Sequence, residues 1–508
     1  MTNDASRTSK QGAFQPATPE NRSLEEGRRS WRWAVPAAIF LLGFALRLFR
    51  IGHQGVDDDE AFSLITTRLP FADMIRQLVK DFVHPPLHYL LLRGWFKLFG
   101  FGLLQARLLS AVFDALAVLI LYFLARYLFG RRTALVSSLL LAVSQLAIAS
   151  AQEARPYAQL DFFALLSTYL FVRALREKRA PYWYGFVGSS IAMMYTHYFG
   201  MFVIAALALW AAINRERYRP RLGWIVAGAA LGLVLYMPWL ASGVMGVAAS
   251  SPKTFSGTHD VFATHWFTPF TMVNVFNNGR VRGVSTPAPS APWWAFVIGG
   301  LLFTAPAALA VRKWLAASIS RETVNESDRE ALALAAILWL LPSLAIIGLG
   351  LAVHIQYQVR YVLFCAAPYY ILVALGMSEV RSNALRWASV LLILAYSANS
   401  LRAVYFMEWK GQFLGGFRGA YGHIETNRQE GDCGFIQSYL RAPGFYKVPP
   451  PSIEAIPLQR LSAGALGCRR IWVVGGLGGV DRSSLERVYA KSEEKNYYGL
   501  PVALYSIK

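Results

Sequence analysis

The chain has 508 residues, of which 55% are hydrophobic and only 16% are charged, and its mean hydropathy is +0.35. That excess of apolar residues is too large for one water-soluble core. Aromatic residues make up 14% of the chain and there are three cysteines, which excludes a disordered chain and a disulfide scaffold. The net charge of +20 would indicate nucleic-acid binding in a soluble protein, but it is gathered in short clusters between apolar blocks of nearly membrane-spanning length. The composition therefore predicts a polytopic α-helical membrane protein without a nucleic-acid partner.

The first thirty residues are polar and contain no apolar run that resembles a cleavable signal. Their composition predicts a disordered cytoplasmic tail over residues 1–30. A nearly continuous apolar run begins at Trp33. Four arginines precede it, namely Arg22, Arg28, Arg29 and Arg32. Because cytoplasmic segments are enriched in Lys and Arg, the amino terminus is predicted to be cytoplasmic.

Five later basic clusters set the number of membrane crossings. They are Arg126 with Arg131 and Arg132; Arg173, Arg176, Lys178 and Arg179; Arg215, Arg217, Arg219 and Arg221; Arg312 with Lys313; and Arg381 with Arg386. If all are cytoplasmic, the chain between consecutive clusters crosses the membrane an even number of times. The predicted spans are 33–50, 105–129, 133–150, 157–175, 182–198, 200–213, 222–243, 291–311, 331–353, 361–379 and 385–403. Eleven crossings in the cell (inner or plasma) membrane put residues 404–508 outside.

Two outer loops are too long to be simple connections. In the first, residues 51–104, apolar side chains recur at helical spacing from Phe71 to Phe82, which predicts an amphipathic helix in the membrane interface. Residues 84–99 are also apolar but contain Arg93 and Lys97, and they are predicted to form a second interfacial segment. The second loop, about residues 241–290, is predicted to be a mobile lid or a substrate wall.

The last 105 residues have a different composition from the membrane region. Residues 470–475 and 502–507 are predicted strands with a helix over 483–490 between them, so 404–508 form a small α/β domain after the membrane domain 31–403. The glycine-rich segment 475–479 is predicted to be a turn, because no lysine follows it as in a phosphate-binding loop. Cys433 and Cys468 either form a disulfide or are two buried thiols, and Cys365 lies in a helix.

An acidic run, Asp57 to Glu60, directly follows the first span. Such a run is often a solvated loop or a cation site. Other outward helix ends, however, bring four basic side chains to the same depth, namely His84, Arg155, His197 and Arg360. Carboxylates beside cations in one interfacial pocket suit the transfer of a group from an anionic lipid to a hydroxyl.

Several short motifs resemble a known family. They are Asp59-Glu60, His84-Pro85-Pro86-Leu87-His88-Tyr89, Gln152-Glu153-Ala154-Arg155-Pro156-Tyr157, and Arg360-Tyr361 with Pro368. Together they resemble bacterial membrane glycosyltransferases of the protein-mannosyltransferase and aminoarabinose-transferase group, to which the lipopolysaccharide uronic-acid transferases are similar. The resemblance covers about residues 33–400 and implies the GT-C fold, a polyprenyl-phosphate sugar donor and a cell-envelope acceptor.

The resemblance also implies roles for individual residues. Asp59 corresponds to the general base that takes the proton of the acceptor hydroxyl, and Glu60 would orient Asp59 or the acceptor. Arg155 and Arg360 are the candidates for the donor phosphate because guanidinium groups match phosphate geometry. Further candidates are His84 and Arg107 for the phosphate, and Asp58, Glu153 and His197 elsewhere in the site.

The chain departs from the family before the Pro-Pro pair. Some relatives carry Glu-Lys there, and this chain has Val83 and His84, which leaves the requirement for a divalent metal unknown. His84 contacts phosphate or has a structural role. Arg107 is either a phosphate ligand or a partner of the acids, and His197 is expected to be structural.

Three functions compete at this point: a lipid-linked sugar transferase, which the motifs favour, a transporter or lipid flippase, and a membrane scaffold. A transferase needs buried charges at one face of the membrane, whereas a transporter needs them through its middle. Expected partners are the polyprenyl-phosphate sugar, membrane lipids and an acceptor that is a lipid, a polysaccharide or a protein. The sugar and the acceptor are not specified by these motifs.

Overall fold

The computed structural model describes the greater part of the chain. The described residues are 19–56, 58–248, 275–278, 281–282, 286–287, 293–319, 326–353, 359–406, 417–436, 454–455, 467–475, 482–497 and 500–508. The lid predicted over about 241–290 falls largely outside these residues, as do Asp57 and four of the five residues in the glycine-rich segment 475–479.

Helices dominate the fold, in agreement with the predicted class. The first ten are α1 Pro19–Leu48, α2 Asp58–Arg68, α3 Phe71–Asp81, α4 Leu87–Phe99, α5 Leu103–Phe129, α6 Arg131–Ala142, α7 Gln145–Ala151, α8 Tyr157–Glu177, α9 Ala180–Thr196 and α10 Gly200–Ile213. The next six are α11 Leu222–Ala248, α12 Trp293–Gly299, α13 Ala305–Ile319, α14 Glu326–Val353, α15 Leu363–Ser378 and α16 Asn383–Phe406. A helix lies at every one of the eleven predicted spans.

Six of the described helices are each long and apolar enough to cross a membrane alone. A seventh span results if α6 and α7, which meet at a bend of 55°, are counted together. The apolar part of α1 and the whole of α10 are shorter. The helical membrane fold is therefore confirmed, while the count of eleven crossings stays a prediction.

The first helix is longer than predicted. It begins at Pro19, so the disordered tail predicted over residues 1–30 is wrong from Pro19 onward. The physical reason is that an existing helix extends at little cost through residues such as Glu, Leu and Arg, which are good helix formers.

Close helix contacts are possible where side chains are small. At Gly376 in α15, an added Cβ would come within 1.7 Å of the carbonyl oxygen of Pro306 in α13. Only glycine allows these two helices to approach so closely. Gly130, at φ +84°, makes the turn between α5 and α6.

The first long loop contains three helices, α2 to α4. The predicted amphipathic helix is α3, whose Met74 and Leu78 are buried against Tyr236 and Trp239 of α11. The predicted second interfacial segment is α4, which begins directly after the Pro85-Pro86 pair, as expected because proline is tolerated at a helix start. Its apolar face includes Leu92.

The carboxy-terminal domain is a mixed five-stranded sheet with two helices. Its elements are α17 Phe417–Asn427, β3 Asp432–Ile436, β4 Glu454–Ala455, β5 Arg470–Val474, α18 Arg482–Val488, β6 Tyr489–Tyr497 and β7 Leu500–Ile507. Strands β1 Val281–Arg282 and β2 Thr286–Pro287 precede this domain in the chain and pair with each other as a separate hairpin. The strand order is β4-β3-β5-β7-β6, with β3 parallel to β4 and β5, and β7 antiparallel to β5 and β6. The two predicted strands and the predicted helix are confirmed as β5, β7 and α18.

A disulfide joins Cys433 to Cys468, so the first of the two alternatives for these cysteines is the one in the structure. Cys365 is a buried free thiol in α15. The sheet packs on the loop helices, because Trp472 and Leu504 belong to the same apolar cluster as Leu64 of α2 and Leu92 of α4. The domain therefore lies at the end of the bundle where α1 ends, which we call the Asp59 end.

Helix order puts the five basic clusters at the opposite end of the bundle. There Arg217 Nη1 contacts Glu330 Oε1 at 2.9 Å, and Lys313 Nζ contacts Glu379 Oε2 at 2.7 Å. At the Asp59 end, Gln54 Nε2 donates to the carbonyl oxygen of Val404 at 3.0 Å, which joins the ends of α1 and α16. The predicted topology requires all five basic clusters to lie at the same end of the bundle, as they do here.

Candidate active site

Asp58, Asp59 and Glu60 of the acidic run form the first turn of α2, so this part of the run is not a loop, which corrects the sequence interpretation. Acidic side chains are stabilised there because the amino end of a helix carries a partial positive charge. The helix places Asp59 and Ser63 one turn apart on one face, and Glu60 beside them. The side chain of Asp58 lies outside the described residues.

Asp59 lies between two buried arginines. Its side chain is 44% exposed, whereas those of Arg155 and Arg360 are 4% and 2% exposed. Arg360 Nη2 forms an ion pair with Asp59 Oδ2, and Arg155 Nη2 lies 4.0 Å from the same oxygen. Arg155 Nη1 also donates to the backbone carbonyl of Asp59 at 2.9 Å. The structure thus brings together three predicted residues from distant parts of the chain around one accessible carboxylate.

Arg360 lies in the short 3₁₀ turn Val359–Val362 and makes two further contacts. Its Nη1 donates to Glu153 Oε2 at 3.2 Å, and its Cζ lies 4.9 Å from the centre of the Tyr157 ring. In the described part of the chain, the Nε atoms of Arg360 and Arg155 are buried and have no hydrogen-bond partner. Unpaired guanidinium N–H groups beside an accessible carboxylate are suited to an anionic ligand.

Glu60 and Arg107 form a second, closed pair. Arg107 Nε and Nη2 donate to the two Glu60 oxygens at 2.8 and 2.7 Å, and both side chains are completely buried. The remaining Arg107 donors bind the carbonyl oxygens of Ile51, Gln54 and Gly55 at 2.8, 2.9 and 2.8 Å. An arginine has five N–H donors, so none is left for a phosphate. Of the two predicted roles, the structure assigns Arg107 that of partner to an acid.

Glu60 therefore has a structural role, which is to hold the segment that carries Arg155. Its Oε1 also accepts a hydrogen bond from the backbone N–H of Ala154 at 2.9 Å, one residue before Arg155. His88 contacts the same segment, with Nε2 3.3 Å from the Ala154 carbonyl oxygen and Nδ1 3.1 Å from Gln159 Oε1. These contacts fix the segment that carries Arg155.

His84 lies beside Arg155 with its ring nitrogens 3.4 and 3.5 Å from Arg155 Nη2. Burial, followed by the nearby positive charge of Arg155, holds the pKa of His84 well below 6.5. The ring is therefore neutral and can accept a hydrogen bond from Arg155.

His197 and three aromatic side chains form one wall of the site. The His197 ring lies 5.2 Å from that of His84, 5.4 Å from that of Tyr157 and 4.6 Å from that of Phe199, measured between ring centres. His197 Nδ1 accepts from the backbone N–H of Phe199 at 3.1 Å. Tyr361 closes the wall, 6.0 Å from Tyr157. His197 is thus used in the turn between α9 and α10, as expected for a structural histidine.

Ser63 and the three aromatic residues of the wall, Tyr157, Phe199 and Tyr361, were not among the predicted site residues. Arg155 Nη1 donates to Ser63 Oγ at 3.3 Å. Ser63 would have been found if residues 58–68 had been recognised as a helix, because Asp59 and Ser63 are four positions apart. Tyr361 directly follows Arg360 in the sequence, and Tyr157 lies two positions after Arg155 and four before Asp161. These positions alone do not indicate that the two rings form a wall of the site. Among the described residues, no three His, Cys, Asp or Glu side chains are placed to hold a metal ion.

Comparison with known proteins bears on the fold. Residues 83–241 match the family model described as dolichyl-phosphate-mannose-protein mannosyltransferase. ArnT from Cupriavidus metallidurans has a similar crystal structure, with a TM-score of 0.55 and 14% sequence identity over 94% of this chain and 98% of that one. The chain has the GT-C glycosyltransferase fold.

Two further solved structures share the GT-C fold. ArnT bound to undecaprenyl phosphate has a TM-score of 0.54 and 14% identity, covering 94% of this chain and 98% of that chain. The archaeal oligosaccharyltransferase AglB from Archaeoglobus fulgidus has a TM-score of 0.51 and 12% identity, covering 88% and 69%. An uncharacterized protein of Aquifex aeolicus is 34% identical over 112 residues, which are 22% of each chain. The chain therefore matches only about a fifth of that relative's length.

Proposed function

We propose that this GT-C protein is a membrane glycosyltransferase that transfers a sugar from a polyprenyl-phosphate donor to a hydroxyl of a cell-envelope acceptor. The observation that carries the proposal is the half-exposed carboxylate of Asp59 between the buried Arg155 and Arg360. The site would lie on the outer face of the cell membrane. The acceptor is a lipid, a polysaccharide or a protein.

Asp59 is the proposed general base. The acceptor oxygen forms a bond with the anomeric carbon of the sugar while the bond from that carbon to the phosphate oxygen breaks. The hydroxyl proton passes to the Asp59 carboxylate, and the electron pair of the broken bond leaves with the lipid phosphate. Of the two acidic side chains that the structure describes in the α2 turn, Asp59 combines exposure with contact to both arginines, whereas Glu60 is fully buried by Arg107.

Arg155 and Arg360 are proposed to bind the donor phosphate. The leaving phosphate gains negative charge as the sugar departs, and fixed guanidinium donors in a partly buried site stabilise that charge. The buried Nε of each arginine lacks a partner within the described residues. His84 assists by accepting from Arg155 and so holding its guanidinium in place.

An apolar cavity of about 240 Å³ supports a polyprenyl donor. It lies between α9, α10 and α11, from Met194 and Tyr236 near the Asp59 end to Phe186 and Ile225 deeper in the bundle. Met194 is three residues before His197 of the aromatic wall. A cavity with an apolar lining beside a phosphate pocket suits a lipid whose headgroup is charged and whose chain is hydrocarbon. ArnT, which shares the fold, has been crystallised with undecaprenyl phosphate.

The alternative function is a transporter or lipid flippase. With one exception, the buried charged side chains of the described residues lie in the half of the molecule nearer the Asp59 end, where the carboxy-terminal domain contributes Asp432. The exception is Glu330, at the opposite end of the bundle. Charges at one face favour the transferase, because a transport path requires them through the middle.

The deciding experiment is incubation of the purified protein with radiolabelled polyprenyl-phosphate sugars and cell-envelope acceptors. Label should move to a lipid, polysaccharide or protein acceptor, and the transfer should be lost in Asp59→Asn. Reconstituted vesicles that move the labelled lipid across the membrane without transfer, equally in wild type and Asp59→Asn, would instead identify a flippase.

A further inference from the structure

A second layer of charged residues lies directly beneath the proposed pocket. Asp161 follows Tyr157 of the aromatic wall by four positions on α8, and Asp114 follows Ser110 by four positions on α5. Ser110 reaches the pocket, since its Oγ lies 3.5 Å from the Arg155 carbonyl oxygen. Residues four apart on a helix share one face and are separated by about 6 Å along its axis. Both aspartates therefore lie one helical turn deeper than the pocket.

The two aspartates have different surroundings. Asp114 pairs with Arg47 of α1, whose other hydrogen bonds go to the carbonyl oxygens of Gly43, Ala142 and Leu141. Asp161 is completely buried, and neither of its carboxylate oxygens has a hydrogen-bond partner within the described chain.

The charges of this layer do not balance if both aspartates are ionised. Among the described residues, the charged groups that act on Asp161 are Asp114 and one cation, Arg47. The titratable Tyr370 and Cys365 of α15 are also in range, but the Tyr370 hydroxyl already donates to Asn278 Oδ1 at 2.7 Å. An unpaired carboxylate inside an apolar bundle is strongly disfavoured, so one positive charge is missing.

We propose that Asp161 is a proton-binding site, carrying a proton in the folded protein as the neutral acid of this layer. A bound metal ion is a poorer solution, because sites for hard cations use about six or more oxygen ligands. No third His, Cys, Asp or Glu side chain of the described residues joins the two aspartates. A single proton removes the excess charge without further ligands.

The proton site has a consequence that rests on the proposed function. An ionised Asp161 would repel a lipid phosphate bound one turn above it, whereas the neutral acid does not. The proton on Asp161 would thus keep the pocket attractive to the anionic donor while Asp59, in the accessible layer, exchanges protons with the acceptor.

Infrared spectroscopy of the purified full-length protein tests the proposal without any donor or assay of transfer. At neutral pH the wild type should show the carbonyl stretch of a protonated carboxylic acid, and Asp161→Asn should lose this band. Identical spectra in this region would overturn the proposal. A band that appears only when sodium is replaced by choline would also overturn it, in favour of a sodium site.

Thermal stability provides a second measurement with a matched control. Asp161→Asn replaces a neutral acid by a neutral amide, so its melting temperature should stay close to that of the wild type. Asp114→Asn leaves Arg47 as an unpaired buried cation and should melt several degrees lower. Equal losses in the two variants would show that Asp161 is a charged partner and would contradict the proposal. Neither measurement depends on whether the protein transfers a sugar.

Discussion

Arg107 Nε and Nη2 hold the two carboxylate oxygens of Glu60 at 2.8 and 2.7 Å, in a pair that has no exposed surface. The same arginine binds three carbonyl oxygens of the segment that joins α1 to α2. The pair therefore connects the end of the first membrane helix to the turn that carries Asp59. Its contribution is to position the site, not to contact the reacting atoms.

Glu60→Gln should destabilise the protein by about 3–5 kcal/mol, because it leaves the Arg107 cation buried without an opposite charge. The measurement is thermal unfolding in detergent. Asp73→Asn is the matched control, since Asp73 pairs with Arg76 on the surface of α3, where an ion pair is worth about 0–1 kcal/mol. A Glu60→Gln variant as stable as Asp73→Asn would argue against the positioning role.

Asp59→Asn should reduce turnover by about 10²–10⁴-fold, because the amide keeps the size of the side chain and removes the proton acceptor. Its melting temperature should fall less than that of Glu60→Gln, because Arg360 keeps Glu153 as a counter-charge and Asp59 is half exposed. Asp73→Asn serves again as the control and should retain full turnover. Undiminished turnover in folded Asp59→Asn would remove Asp59 from the proposed role, and Asp58 would be tested next.

Arg360→Lys should weaken donor use while acceptor affinity stays nearly unchanged. A lysine keeps the charge but has one ammonium group, which cannot reach Asp59 and Glu153 together as the two Nη atoms of Arg360 do. The measurement is the kinetics of transfer as donor and acceptor are varied separately. Arg155→Lys should behave similarly, and Arg76→Lys on the surface should have no effect. Loss confined to acceptor affinity would contradict the phosphate role.

Stability should fall as the pH is lowered below about 6.5. Burial and the charge of Arg155 hold the pKa of His84 well below 6.5 and lower that of His88 to about 4. Between these values and about 6.5 each histidine binds more protons in the unfolded chain than in the folded one, so acid favours unfolding by about 1.4 kcal/mol per pH unit for each of them. The proton proposed on Asp161 has the opposite effect and offsets the slope of one histidine, because the unfolded chain loses that proton above about pH 4. Melting temperatures from pH 7.5 to 5 measure the slope.

One variant controls this pH experiment. His88→Gln removes one titrating group and should flatten the slope, because the two N–H donors of an amide can serve Gln159 Oε1 and the Ala154 carbonyl oxygen. A slope that is the same in wild type and His88→Gln would mean that His88 binds its proton as readily in the folded protein as in the unfolded chain.

A reporter enzyme fused after Lys508 should be active only in the extracytoplasmic compartment. The carboxy-terminal sheet packs at the Asp59 end, opposite the basic clusters, which are expected to be cytoplasmic. A reporter fused before Met1 should show the reverse pattern. Activity of the carboxy-terminal fusion in the cytoplasm would overturn both the topology and the outer location of the site.

Much of the fold was predictable, because long apolar runs and one-sided basic clusters are direct consequences of a membrane environment. The helix α2 was missed because its acidic start and its Thr66-Thr67 pair conceal the helical period. The motifs singled out Asp59, Arg155 and Arg360, which the structure brings together. A partnership of Arg107 with the acids was one of two open alternatives, and its closed pair with Glu60 was not specified. Whether Asp59 or Glu60 faces solvent depends on the packing of Glu60 against Arg107, 47 positions away in the chain. A local sequence pattern does not contain that information.

The ion pair between Arg360 and Asp59 joins residues 301 positions apart in the chain. Ribosomes add about 5–20 residues per second, so roughly 15–60 s separate the synthesis of these two residues. During that time a nascent chain has its first helices and its family-matching segment 83–241 but lacks the second arginine. The pocket is therefore completed late in biogenesis, and a polypeptide halted before the turn Val359–Val362 has Asp59 without its Arg360 counter-charge.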